Sequence, residues 1–203
     1  MLAVDLILVN SVAIKRLKND KGTKMKRAIK FKLKNGKVVT IRRLAASDYD
    51  VQMKFLEKFT RGPGAVQTMQ YHGQPKKDKE ITIKHYEKNF VIGAFDDDNM
   101  IGIASVTPQR VGHPYSGRSA AVGMMMLDKY TGNGLGSKFF QILEKWAREN
   151  NIHKLVGDVR HLNIPSITAC VKNGFIITGI HYDAAFINGK WHHEYIVEKI
   201  LEK

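Results

Sequence analysis

At 203 residues the chain has the length of one ordinary domain plus an extension, and its 43% hydrophobic content is enough for a real core. A single cysteine, Cys170, excludes an internal disulfide framework and any cysteine-rich zinc site. The formal net charge of +14 sits mostly in residues 1–43, which carry +11, against +3 for residues 44–203. Apolar stretches are too short to cross a bilayer, the longest being broken by Asp5 and Asn10, and the opening segment lacks a basic leader and a small-residue cleavage site. A soluble, cytoplasmic protein is expected.

Taken in chain order, residues 1–37 read as a basic extension and 38–203 as the main domain, with Met25 an alternative start that would set residues 1–24 aside. Asn35-Gly36 between two alternating runs, 29–34 and 37–42, predicts a β-hairpin. Lys30, Lys32 and Lys34 share one face of it. That face reads either as a solubilising edge strand or as a contact for phosphate, RNA or another polyanion. Ser47 is placed as the cap of a helix running to about Phe59. Residues 61–64 break it, 65–71 form a turn or two, and 72–80 form a polar loop of the kind that gates a substrate site.

Two strands, 90–95 and 100–107, are joined by Asp96-Asp97-Asp98-Asn99, whose acids read as solvated turn residues; no metal site is expected. A loop at 111–117 precedes residues 120–127, an unbroken apolar and small run that reads as a buried strand. Leu135, Phe139, Ile142, Leu143 and Trp146 then recur at helical spacing. A short strand at 154–159, a helix opened by Pro165 and stopped at Asn173-Gly174, and a hairpin of 175–186 with 191–200 around Asn188-Gly189 complete the chain.

The chemistry concentrates between the 120–127 strand and the helix after it. Thr131-Gly132-Asn133-Gly134-Leu135-Gly136-Ser137 puts unobstructed backbone N–H groups at the positive end of a helix dipole, a cradle for pyrophosphate. The order Gly136-Ser137-Lys138 is wrong for a Walker loop. The G-x-G-x-G spacing departs from the dinucleotide fingerprint, although Asp158 falls roughly where a ribose-binding acid would.

This loop, with Asn163-Ile164-Pro165, Cys170, Lys172 and Gly174-Phe175 behind it, resembles the GNAT superfamily of N-acetyltransferases over about residues 38–200. More narrowly it is similar to the catalytic domain of Pat-type protein lysine acetyltransferases. The resemblance implies a mixed α/β fold, a central twisted and mostly antiparallel sheet flanked by helices. It implies acetyl-CoA as co-substrate, held by Thr131, Gly132, Asn133, Gly134, Leu135, Gly136 and Ser137, by backbone at Met125, Met126 and Leu127, and by Asn163 and Ser166. Thr131 stands where the family has Gln or Arg, which shortens or removes one phosphate contact.

Acetyl transfer to an amine also needs a base and a proton for the leaving thiolate. Cys170 stands where much of the superfamily has the tyrosine acid. The strands that usually supply a glutamate base hold no Asp or Glu, leaving His113, Asp128, His193 and Glu194 as candidates. The expected activity is direct transfer in a ternary complex to a primary amine, a protein lysine first and a small amine or polyamine second. A weakly catalytic acyl-CoA-binding module and a dinucleotide oxidoreductase are the rival readings. Monomer and homodimer are both left open.

Overall fold

The computed structural model describes residues 27–62, 78–111, 113 and 116–201. The alternative start, the turn at 65–71 and most of the 72–80 loop lie outside the described residues. Eight strands form one sheet: β1 (Ile29–Lys32), β2 (Val38–Arg43), β3 (Phe90–Asp96), β4 (Asn99–Gln109), β5 (Ser119–Met126), β6 (Lys154–Arg160), β7 (Ile176–Ile187) and β8 (Lys190–Ile200), in the order β1-β2-β3-β4-β5-β6-β8-β7. Every neighbouring pair is antiparallel except β5 with β6. Among the described residues no helix is long and apolar enough to cross a membrane.

Helices cover both faces. On one face lie α3 (Leu135–Glu149) and α4 (Ile164–Lys172), with Leu135, Phe139, Leu143 and Cys170 packed over Ile41, Ile92, Ala104 and Leu155. On the other face α1 (Tyr49–Thr60) and α2 (Lys79–Lys88) bring Phe55, Leu56, Phe59 and Tyr86 onto Val91, Met100 and Ile103. Two separate cores result because strand side chains alternate between faces.

Local differences from the sequence reading have local causes. Ser47 does not cap α1. It lies in a short 3₁₀ turn, Ala46–Asp48, and α1 begins at Tyr49. Helix α2 takes Lys79 and Glu80 from the expected loop; Asp78 caps it by accepting the Ile81 N–H at 3.1 Å. Only Thr82 and Tyr86 of α2 are buried, so hydropathy gave it no stripe. Asp96 is not a solvated turn residue. It accepts a hydrogen bond from the Tyr130 hydroxyl at 2.5 Å and pairs with Lys37.

The hairpin forms as the Asn35-Gly36 signal requires, with Gly36 at φ 89°. Leu33 points into the core while Lys32 and Lys34 stay exposed. At the opposite edge of the sheet β7 leaves Ile176, Ile180, Tyr182 and Phe186 exposed.

Strand β5 is the main departure. Of the expected buried run only Ala120 is buried. The reason is its partner: β5 pairs with β6 only through Ser119, Ala120 and Ala121, opposite Lys154, Leu155 and Val156. Beyond Ala121 the two strands separate, and the sheet opens as a wedge.

Candidate functional site

The wedge exposes one edge of β5. Leu127 donates its N–H to Ile101 of the neighbouring segment at 2.9 Å, and Gly102 faces Met126 in the register. In an antiparallel ladder, bonded and unbonded positions alternate. Gly123 and Met125 therefore spend their backbone groups on β4, while those of Met124 and Met126 point into the gap. The expected trio Met125, Met126 and Leu127 is corrected to this parity: Met126 faces the gap, Leu127 does not, and Met124 joins it.

The glycine loop lies at the end of β5. Asp128–Tyr130 makes one 3₁₀ turn, closed by the Thr131 N–H and hydroxyl onto Asp128 C=O at 3.0 and 2.7 Å. Gly132 and Gly134 have φ of 73° and 87°, left-handed values that strain any residue with a Cβ. Gly134 is the N-cap of α3, and the first intrahelical bond runs from Lys138 N–H to Gly134 C=O at 3.0 Å. The N–H groups of Leu135, Gly136 and Ser137 thus have no intrahelical acceptor. A Cβ on Gly136 would meet Met126 Cε at 3.4 Å, so the missing side chain lets α3 approach β5 closely.

Each end of the loop is anchored. Leu135 is fully buried, and the buried Tyr130 reaches Asp96, the residue that pairs with Lys37 on the hairpin. Burial, helped by Asp96, pushes the Tyr130 phenol up to about 12, so it stays a hydrogen-bond donor. Asn133 C=O accepts the Lys34 N–H at 3.2 Å, and the Asn133 side-chain amide donates to Thr131 C=O at 3.0 Å. Ser137 Oγ accepts from the Asn173 side chain at 3.2 Å, linking the start of α3 to the end of α4. Asn163 is buried as the N-cap of α4, where its carbonyl oxygen takes the Ser166 N–H at 3.1 Å. Its visible work is to hold that helix.

The expected acid and bases separate in space. Cys170 is 5% exposed, and burial pushes its thiol up to about 11, above the ordinary value near 8.5. That makes it a weaker acid than a free thiol, packed in the core rather than open to the gap. His113 lies in the loop after β4, at the far end of the β4–β5 hairpin from Met126, with its Nδ1 accepting the Ser116 N–H at 3.1 Å. His193 Nδ1 accepts the Asp183 N–H at 3.0 Å. Glu194 lies 3.4 Å from the buried Arg160 guanidinium.

One carboxylate lies on the strand that borders the wedge, on the sheet face away from α3. Leu155 and Val159 of β6 point into the α3 core, so Val156 and Asp158 point to the opposite face. Asp158 lies two residues beyond Val156, the last β6 residue paired with β5, and so on the stretch of β6 that borders the wedge. Asp158 is half exposed, 3.8 Å from His181 Nε2. Burial raises its carboxyl; His181 lowers it and Glu194 raises it further. Its sequence position looked like that of a ribose-binding acid, and only the sheet shows which way it faces.

The comparisons agree with this architecture. No curated protein matches the chain in sequence. A GNAT-family acetyltransferase structure from Streptococcus pneumoniae superposes with a TM-score of 0.72 at 20% identity, covering 80% of this chain and 99% of that one. The yncA protein of Salmonella typhimurium, a putative acetyltransferase solved with its cofactor acetyl-CoA, gives 0.67 at 19% identity over 81% and 95%. The GNAT domain of S. lividans PAT gives 0.70 at 16% identity over 86% and 97%. These likenesses establish the fold. The sequence model of the acetyltransferase (GNAT) family matches residues 53–175, which contain the wedge, the glycine loop and α4, and the chain therefore belongs to that family of acetyltransferases.

Proposed function

We propose that the chain transfers the acetyl group of acetyl-CoA to a primary amine, and that this amine is a lysine side chain of a polypeptide. The co-substrate reading rests on fit. Open backbone at Met124 and Met126 matches an extended amide-bearing arm, and the Gly132–Ser137 amides match its phosphates. Acetyl-CoA in the Salmonella relative supports the same reading.

The observation that carries the acceptor is the charge arrangement on the open sheet face beside the wedge. Of three carboxylates there, Glu194 is paired with Arg160 and Glu198 with Lys154. Among the described residues Asp158 has no Lys or Arg partner; its charged neighbours are His181 at 3.8 Å and Glu194, which raises its carboxyl. One carboxylate without a Lys or Arg partner suits one ammonium, whereas a polyamine carries several. Ile176 and Ile200, both exposed, and the half-buried Ile196 offer an apolar surface for the stem of a lysine and its neighbours.

The step balances simply. Asp158 takes a proton from the ammonium, the free amine attacks the thioester carbonyl, and the carbon–sulfur bond breaks. As the amide forms, the attacking nitrogen gives up its second proton, and water relays a proton to the leaving thiolate. A carboxyl raised by burial accepts the ammonium proton more readily than an ordinary one.

Turnover of lysine-containing peptides is the test. Asp158→Asn is expected to lower kcat by about 100-fold or more while CoA affinity stays unchanged. The wild-type acid limb of kcat/KM should lie above the ordinary carboxylate value near 3.9 and vanish in the variant. A higher kcat/KM for spermidine than for every peptide would overturn the lysine assignment. Tight CoA binding with no amine turnover would leave an acyl-CoA-binding module.

A further inference from the structure

The basic hairpin meets the glycine loop, and the family match at 53–175 does not include it. Lys34 N–H bonds to Asn133 C=O, and the Lys37–Asp96–Tyr130 chain ties the other side of the same turn to the loop. The side chains follow the backbone. A Cβ placed on Gly134 would lie 3.8 Å from Phe31 Cζ and 4.0 Å from Lys34 Cε, so the lysine stem runs over the N-cap of α3. Lys138 Nζ sits 5.9 Å from the Phe31 ring centre. Lys34 is exposed and forms no ion pair among the described residues.

Two further facts identify what this lysine is for. Thr131 is too short to reach a phosphate with a charge, and its hydroxyl is already turned onto Asp128 C=O. The first turn of α3 holds no acid, and Lys138 follows directly, an arrangement that works against the helix dipole unless an anion sits there. Among the described residues, no atom other than those of its chain neighbours lies within 4 Å of a Cβ position on Gly132.

We propose that Lys34 of the β1–β2 hairpin closes the phosphate cradle from outside, its ammonium contacting a phosphate of CoA in place of the longer side chain absent at position 131. This rests on the acetyl-CoA reading above. It turns the hairpin from a solubilising edge into one wall of the co-substrate site. A lysine ammonium on a phosphate makes a charge-assisted hydrogen bond, one of the stronger contacts available at a surface.

The test is calorimetric titration of the full chain with CoA, dephospho-CoA and pantetheine. Lys34→Met keeps the stem over Gly134 and removes only the charge. It is expected to weaken CoA about tenfold, to reduce the salt dependence of binding, and to leave pantetheine affinity unchanged. Lys34→Arg should stay within about threefold of wild type, and Lys32→Met, on the same hairpin, within about twofold. The same loss with dephospho-CoA would place the contact on the pyrophosphate, and its disappearance there would place it on the 3′-phosphate. Wild-type affinity in Lys34→Met, or an equal loss in Lys32→Met, overturns the proposal. Failure of the wild-type protein to bind CoA would instead sink the co-substrate reading.

Discussion

At the scale of single residues, buried polar side chains are where this chain is most exposed to solution conditions. Asp48 is 6% exposed and receives both guanidinium N–H groups of Arg42 at 2.7 Å and the Ala45 N–H at 2.9 Å. Burial alone would raise its carboxyl, but Arg42 and Ala45 together hold it below the ordinary value. A carboxyl depressed on folding contributes stability above its unfolded value near 3.9, and that contribution fades as pH falls through the folded value. Asp48→Asn should cost about 2 kcal/mol at pH 7. In urea denaturation the gap between variant and wild type should close below about pH 4; a constant gap would show that Asp48 acts without its charge. Such residues were partly legible. Gly132 and Gly134 announced themselves by spacing, because only glycine tolerates those backbone angles. For Lys34 the sequence offered a polyanion face and for Asp158 the place of a ribose-binding acid; the roles proposed for them here depend on a sheet face and on a hairpin docked about a hundred residues away in sequence.

Among the elements, β5 was legible as a strand but not in its hydrogen bonding. Composition marks a strand, whereas which backbone groups face which neighbour depends on one register shift, and a slip of one residue exchanges them all. Parity is therefore a claim that can be measured. In hydrogen exchange followed by NMR, the amides of Met124 and Met126 should exchange faster than those of Gly123 and Met125, and saturating CoA should slow the first pair selectively. Equal protection of all four would mean that β5 is paired along both edges. Helix α2 was missed for a related reason: with two buried side chains it lacks the periodic stripe on which helix recognition depends. Strands β3, β4 and β8 were found near their true bounds because turn residues mark their ends, Asp96 to Asn99 between the first two and Asn188-Gly189 before the third.

On the scale of the whole molecule, the family resemblance predicted a mixed sheet with helices on both sides, and the fold has that form. What the sequence could not convey was how distant segments meet. The hairpin, the β3–β4 turn and the glycine loop, far apart in the chain, join through Lys37, Asp96 and Tyr130. Read locally, Asp96 looked like a turn residue beside water, because its partners lie 59 residues before it and 34 after it. The basic arm likewise looked separable from the domain by charge, yet Leu33 packs into the same core as α3.

The wedge between β5 and β6 also has a consequence for folding. In the proposed complex the arm of CoA would pair with the backbone groups that the wedge leaves open. The ligand thereby acts as a missing strand, and its binding energy adds to the folding energy. At a hundred times its Kd a ligand that binds only the folded state adds about 2.7 kcal/mol. For a domain of this size, that raises the thermal midpoint by roughly 5–10 °C. A calorimetric scan with and without CoA measures it directly: no shift at concentrations expected to saturate would mean that CoA does not bind the folded chain in preference to the unfolded one.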